Sequence, residues 1–346
     1  MKEIKLLDNN RILYFDILRI LACSLVLLTH SAMPAVDMAY GPFYAFFSTL
    51  AAPSSELFLC ISGAILLPVT KSLSEFYKRR FTKLVYPVLF WSILMSFFFC
   101  YYGEYDINMA FRKLLLLPFK PVHGVYWFVY AICGLYLIAP FISRWLISST
   151  QKELQLFLML WVITQTLPLL NYFHPNLYEL NGSYYSMFSS FGGFMGYMIL
   201  GFYLRKYPIV IKGERFTLLT TILVTLLLFM VVFFFKINDI DTSILTDNLS
   251  LFSTLAVVNI FTFIQIISKA SVFQKIALYL AKIAKYSFGI YLCHMIVIRM
   301  VWKIFAELRM HPVIETPLIC LLSLFISYII IRLFSKLPFS KFTVGI

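Results

Sequence analysis

The chain has 346 residues, 61% hydrophobic and 13% charged, with a mean hydropathy of +0.85. Soluble domains carry about 25% charged residues, so this composition excludes a soluble globular protein. With 36 Phe and 22 Tyr against 13 Gly and 14 Pro, it also excludes low-complexity, collagenous and disordered chains.

A membrane-spanning helix needs about 20 apolar residues. In chain order, such segments fall near 13–32, 44–68, 84–101, 125–143, 153–170, 187–204, 216–235, 249–267, 287–305 and 316–334. They predict an all-α integral membrane protein, a bundle of about ten transmembrane helices, with residues 1–346 forming a single domain. The first segment reads as a retained helix rather than a cleaved signal peptide, because Asp16 and Arg19 lie inside it and no small-residue cleavage site precedes Pro34.

Basic residues mark the cytoplasmic side. With the N-terminus inside, 21 of the 29 Lys and Arg fall on cytoplasmic stretches and five on outer ones, namely Arg112, Lys113, Lys120, Lys236 and Arg309. Arg19, Arg299 and Lys303 fall within spans. This asymmetry predicts both termini in the cytoplasm. It also reads the +13 net charge as topology signal spread over several loops, so no nucleic-acid partner is expected. The six cysteines all lie in predicted spans without CxxC or Cys/His spacing, which predicts neither disulfides nor a metal site. Gly192, Gly193, Gly196 and Gly201 read as small-residue helix packing.

Charged groups at bilayer depth cost about 2.5–3.5 kcal/mol each on insertion scales, so they mark partners or cavities. Asp16 and Arg19 form an i,i+3 pair, and His30, eleven residues beyond Arg19, returns to within about 20° of the same helix face. The stripe climbs roughly 21 Å toward the outer surface. Its bland reading is a self-satisfied ion pair and an interfacial histidine. Glu56 follows Pro53, Ser54 and Ser55, where a helix break would open onto a cavity; alternatively it is a neutral carboxyl bonded to a neighbouring helix. Ser287 and His294 share a helix face, with a buried structural histidine as the bland alternative, while Arg299 and Lys303 read as snorkelling to the outer interface. The stretch Glu75 to Lys83, read as a cytoplasmic loop, holds the densest basic cluster: Lys78, Arg79, Arg80 and Lys83. Such a cluster suits a phosphate-bearing donor, and it equally suits plain positive-inside charge.

Five stretches stand in register: Asp16-x2-Arg19-x2-Ala22 with His30; Leu57-Phe58-Leu59-Cys60-Ile61-Ser62-Gly63; Arg79-Arg80-x2-Lys83 with Pro87; Tyr126-Trp127-Phe128 with Leu135 to Pro140; and Ser287-Phe288-Gly289-Ile290-Tyr291-x2-His294. Together they resemble acyltransferase family 3, multispanning membrane proteins that modify bacterial surface glycans and some antibiotics. The stretches span about 11–300. The chain looks most like the stand-alone O-acetyltransferases of the enterobacterial common antigen type, without an attached hydrolase-like domain.

The resemblance implies an O-acyltransferase of the bacterial cytoplasmic membrane. Its donor would be cytosolic acyl-CoA, in the first place acetyl-CoA, and its acceptor a hydroxyl of a surface polysaccharide or lipid-linked precursor. It implies catalytic roles for His30 and Glu56, structural or path roles for Asp16, Arg19 and His294, and donor binding by Arg79, Arg80 and Lys83. Lys83 stands where many members carry Arg, which keeps the charge but loses the bidentate fork. Some members have proline at the place of Glu56. His123 precedes Trp127 by four residues, farther than the family's histidine, and carries no assigned role. The competing reading of the same buried charges is a transporter or flippase for a glycan precursor or anionic small molecule.

Overall fold

A computed structural model describes residues 12–32, 41–173, 193–237, 242–308 and 310–345. Within them the regular structure is helical, with no strand among the described residues. The first half comprises α1 (Tyr14–Ser31), α2 (Gly41–Ala51), α3 (Ser54–Leu66), α4 (Leu73–Tyr101), α5 (Ile107–Leu115), α6 (Trp127–Ser148) and α7 (Gln151–Phe173). The second comprises α8 (Met195–Lys206), α9 (Glu214–Ile237), α10 (Ser243–Thr246), α11 (Leu251–Ile267), α12 (Ser271–Ala284), α13 (Ser287–Phe305), α14 (Pro312–Phe334) and α15 (Ser340–Thr343).

Among the described residues, seven segments are long and apolar enough to cross a membrane: α1, Phe43–Leu66 through α2 and α3, α4, Gly124–Ser148, α9, α13 and α14. The pair α11 and α12, bent by 112°, makes an eighth if it is one span. The expected segment 153–170 coincides with α7, whose first turn holds Gln151, Lys152 and Glu153, and 187–204 overlaps α8. Residues 1–11, 174–186, Gly192 and Arg309, on which part of the sidedness and packing expectations rest, lie outside the described residues.

One sequence expectation is corrected. The basic run is helical rather than a loop, because Ser72 accepts a hydrogen bond from the Glu75 backbone N–H at 3.3 Å, an N-cap that starts α4 at Leu73. Lys71, just ahead of that cap, pairs with Glu75 of the first turn. Arg80 and Lys83 then lie three residues apart on one face, while Arg79, rotated about 100° from Arg80, is exposed.

A few helix contacts position the interior. Glycines let α3 and α8 touch backbone to backbone: a Cβ on Gly63 would stand 1.9 Å from the Met198 carbonyl oxygen, and one on Gly201 would stand 1.8 Å from that of Cys60. Arg205 of α8 donates to the Ala64 carbonyl at 2.7 Å, a cation at the C-terminal end of α3 where the helix dipole favours it. Helices α1 and α13 run side by side in register, since Cys23 Sγ reaches the Ser287 carbonyl at 3.9 Å and His30, seven residues on, meets His294, also seven residues on. Helix α12 packs along α1 and buries Ala277, Ala281 and Ala284. At the far end of the chain, α15 docks on α4: Trp91 Nε1 donates to the Thr343 carbonyl at 2.9 Å. Gly345 is required there, both by its φ of +73° and because a Cβ would stand 2.5 Å from the Lys83 carbonyl oxygen.

Candidate active site

A cavity of about 340 Å³ opens where α1, α3, α4, α6 and α13 meet. Its wall carries four cations, Arg19, Arg80, Lys83 and Lys285, and no carboxylate lines it among the described residues. Arg19 comes from the second turn of α1, 3.2 Å from the buried Asp16 carboxylate. Arg80 and Lys83 are the pair that the helical spacing of α4 aims inward, and Arg79 is not part of the lining. Tyr136 lies within electrostatic reach of both Arg80 and Arg19. With Arg19 held by Asp16, the wall keeps Arg80, Lys83 and Lys285 as its excess positive charge beside apolar surface, a lining that suits polyanions, and phosphates above all.

The apolar end of the cavity is made by Phe58, Phe128 and Tyr291, with Phe128 and Tyr291 edge to face at 5.7 Å. Behind them stand the histidines. The Tyr291 ring lies 5.6 Å from that of His294, which lies 5.2 Å from that of His30. His294 is fully buried, and its Nδ1 bonds the Tyr291 carbonyl. A carbonyl only accepts, so Nδ1 carries the proton and Nε2 is left as a lone pair with no hydrogen-bond partner among the described residues. His123 is the third member, within electrostatic reach of His30 and stacked on Phe99 at 4.9 Å. Burial first, and then the charges of Arg299 and Lys113, hold the His123 imidazole below its ordinary range, so it is neutral near pH 7.

Two tyrosines fasten this region. Tyr126 donates to the Leu292 carbonyl at 2.5 Å, and Tyr291 donates back to that of Val125, so the 3₁₀ turn Gly124–Tyr126 ahead of α6 is tied twice to α13. That turn is what brings His123 to the cluster.

Glu56 lies elsewhere. It is fully buried in the first turn of α3, and neither carboxyl oxygen meets a side-chain hydrogen-bond partner among the described residues. Asp247 and Tyr197 are within its electrostatic reach. A carboxylate in a first helical turn is also favoured by the helix dipole, which gives Glu56 a structural reason for its place.

Of the residues singled out in the sequence, the fold therefore brings Arg19, Arg80 and Lys83 to one cavity and His30 and His294 to one ring contact. It leaves Arg79 on the surface and Glu56 with a separate set of neighbours. Lys285, Tyr136 and Gly345 join the cavity without having been singled out. Lys285 was hidden among topology charges, Tyr136 inside an apolar motif, and Gly345 carried no signal at all. Arg299, expected to snorkel to the outer interface, pairs with Glu104 of the segment after α4 at 2.8 Å.

The described residues thus form a helical, membrane-spanning chain with a cationic cavity backed by histidines. Residues 12–332 match the acyltransferase domain of acyltransferase family 3, and the chain belongs to that family. It is thus a membrane acyltransferase, with an acyl donor and an acceptor as substrates. No curated protein and no solved structure matches the chain.

Proposed function

We propose that the protein is an O-acyltransferase of the bacterial cytoplasmic membrane, moving an acetyl group from acetyl-CoA to a hydroxyl of a cell-surface polysaccharide or its lipid-linked precursor. The observation that carries this reading is the continuity from the four-cation cavity, through Tyr291, to His294 and His30. The phosphates of coenzyme A bind Arg80, Lys83, Lys285 and Arg19. The acyl-bearing arm extends toward Phe128 and Tyr291, and the acceptor hydroxyl meets His30 from the other end.

The chemistry then balances with protein groups alone. A sugar hydroxyl is a weak nucleophile, so a histidine nitrogen within hydrogen-bond reach accepts its proton as the oxygen attacks the thioester carbonyl. The C–O bond forms, the C–S bond breaks, and the proton held on the imidazole passes to the departing thiolate. His30 is the base in this scheme. His294, its tautomer set by the Tyr291 carbonyl, positions the His30 ring. Asp16 holds Arg19, and Glu56 is a secondary candidate for proton handling.

The test is a single-turnover assay with radiolabelled acetyl-CoA and purified protein in lipid nanodiscs, followed by mass spectrometry of surface glycans with and without the gene. Acetyl transfer that His30→Ala abolishes while acetyl-CoA still binds is the expected result. Undiminished transfer by a correctly inserted His30→Ala protein rejects the scheme.

A further inference from the structure

Beyond the histidines, the cations change partners. Lys113 Nζ sits 4.6 Å from the centre of the Tyr105 ring and donates to the Val122 carbonyl at 3.2 Å. Lys303 Nζ stands 5.9 Å from the Tyr102 ring, and Arg299 lies 5.3 Å from the Trp302 ring while pairing with Glu104. The Phe99 ring on which His123 stacks links part of this set: Arg299 lies 6.0 Å from it, and the Tyr105 ring that carries Lys113 lies 5.3 Å from it.

Two features need a reason. First, Lys113 is one of only five Lys and Arg assigned to outer stretches, and Arg299 and Lys303 add two more cations on aromatic rings of the same region. The positive-inside rule depletes that side of basic residues, so topology does not account for this cluster. Second, Arg299 Nε and Trp302 Nε1 are buried donors without a hydrogen-bond partner among the described residues. An unmade bond on a buried donor is costly, and an incoming oxygen acceptor would satisfy it.

We infer that this cluster is the acceptor subsite and that it takes an acidic sugar, one bearing a carboxylate. Lys113 and Lys303 attract the anion, Trp302 and Tyr102 offer flat faces to the apolar side of the ring, and the orphan donors of Arg299 and Trp302 meet its oxygens. The sugar's hydroxyl is thereby delivered past His123 to His30. This rests on the reading of the protein as a glycan acyltransferase with its histidine end outside.

The test measures binding rather than turnover. Fluorescent oligogalacturonate and a neutral galacto-oligosaccharide of equal length are titrated against the full-length protein in non-ionic detergent, with and without saturating coenzyme A. The acidic probe is expected to bind and the neutral one not, and coenzyme A should not displace it. Lys113→Gln with Lys303→Gln should weaken binding about fivefold or more, as loss of two partly exposed charge contacts implies. Trp302→Phe, which keeps the ring and removes the N–H, should weaken it by a smaller factor. Lys275→Gln with Lys282→Gln on α12 removes the same charge and should change nothing. Equal binding of the neutral probe, displacement by coenzyme A, displacement by phosphatidylglycerol micelles, or equal loss in both double variants would each overturn the assignment. Acetyl-CoA binding by the same preparation separates the two failures: intact donor binding without oligogalacturonate binding rejects this inference alone.

Discussion

At the scale of single residues, two neighbours in the sequence make the sharpest contrast. Arg79 and Arg80 carry the same group, yet helical geometry exposes one and turns the other onto the cavity wall. If Arg80 holds a coenzyme phosphate, Arg80→Gln should raise the donor KM about tenfold or more, the scale of a charge-assisted hydrogen bond. Arg79→Gln should leave it within about twofold, since an exposed charge at that distance is screened. Equal small effects in steady-state kinetics would return both residues to the topology signal. His30 and His294 form the second contrast. His30→Ala should cost about 10²–10⁴-fold in rate with donor binding retained. His294→Ala should also slow transfer, because the ring positioning His30 is lost, but His294→Gln should recover part of the rate by keeping a polar partner of similar reach. If His294→Ala transfers at the wild-type rate, the 5.2 Å ring contact is packing only.

At the scale of elements, the glycines separate packing from conformation. Gly201 and Gly134 both lie inside helices, but a Cβ at Gly201 would strike the Cys60 carbonyl, whereas one at Gly134 meets nothing within 4 Å. Gly201→Ala should therefore destabilise the protein by about 2 kcal/mol or more, as overpacking against backbone does. Gly134→Ala should be neutral or stabilising by a few tenths of a kcal/mol up to about 1 kcal/mol through helix propensity. Thermal unfolding in one detergent reads both. The same elements show what the sequence could and could not disclose. Small residues of α8 were legible as packing, yet nothing in their spacing named Gly63 as the partner, because helix pairing is a tertiary choice. The motif around Arg80 was legible, but its helical state depended on the Ser72 and Glu75 cap, which the count of positive charges overlooked. Spans fifteen to thirty residues long announce themselves by hydropathy. A site built from α1, α3, α4, α6 and α13 does not, because its members are brought together by contacts such as the Tyr126 and Tyr291 hydrogen bonds, and those have no local sequence signature. His123 illustrates this: its distance along the chain from Trp127 hid a position set by the 3₁₀ turn.

At the scale of the whole molecule, one helix spans the distance that the proposed reaction has to cover. Helix α4 has 29 residues, so it is about 43 Å long against a hydrocarbon core of about 30 Å, and both of its ends must emerge. Its first turns carry Arg80 and Lys83, which line the cavity, and its last turns carry Phe99, on which His123 stacks. Nineteen residues separate Arg80 from Phe99, a rise of roughly 28 Å. If the donor binds at one end and the acceptor at the other, as proposed, the two lie on opposite sides of the bilayer, and the acyl group, not the acceptor, makes the crossing. Sidedness is the consequence that tests this arrangement. In a background where the partly accessible Cys100 and Cys133 are serine, Lys78→Cys and Lys275→Cys should react with a membrane-impermeant maleimide only after cells are permeabilised, and Lys120→Cys should react in intact cells. In sealed vesicles of known orientation, acetyl-CoA should then support transfer only from the side that exposes position 78. If positions 78 and 120 label from the same side, α4 does not cross the membrane and the two-sided scheme fails. If they label from opposite sides but acetyl-CoA works from the face of position 120, the cationic cavity is not the donor site.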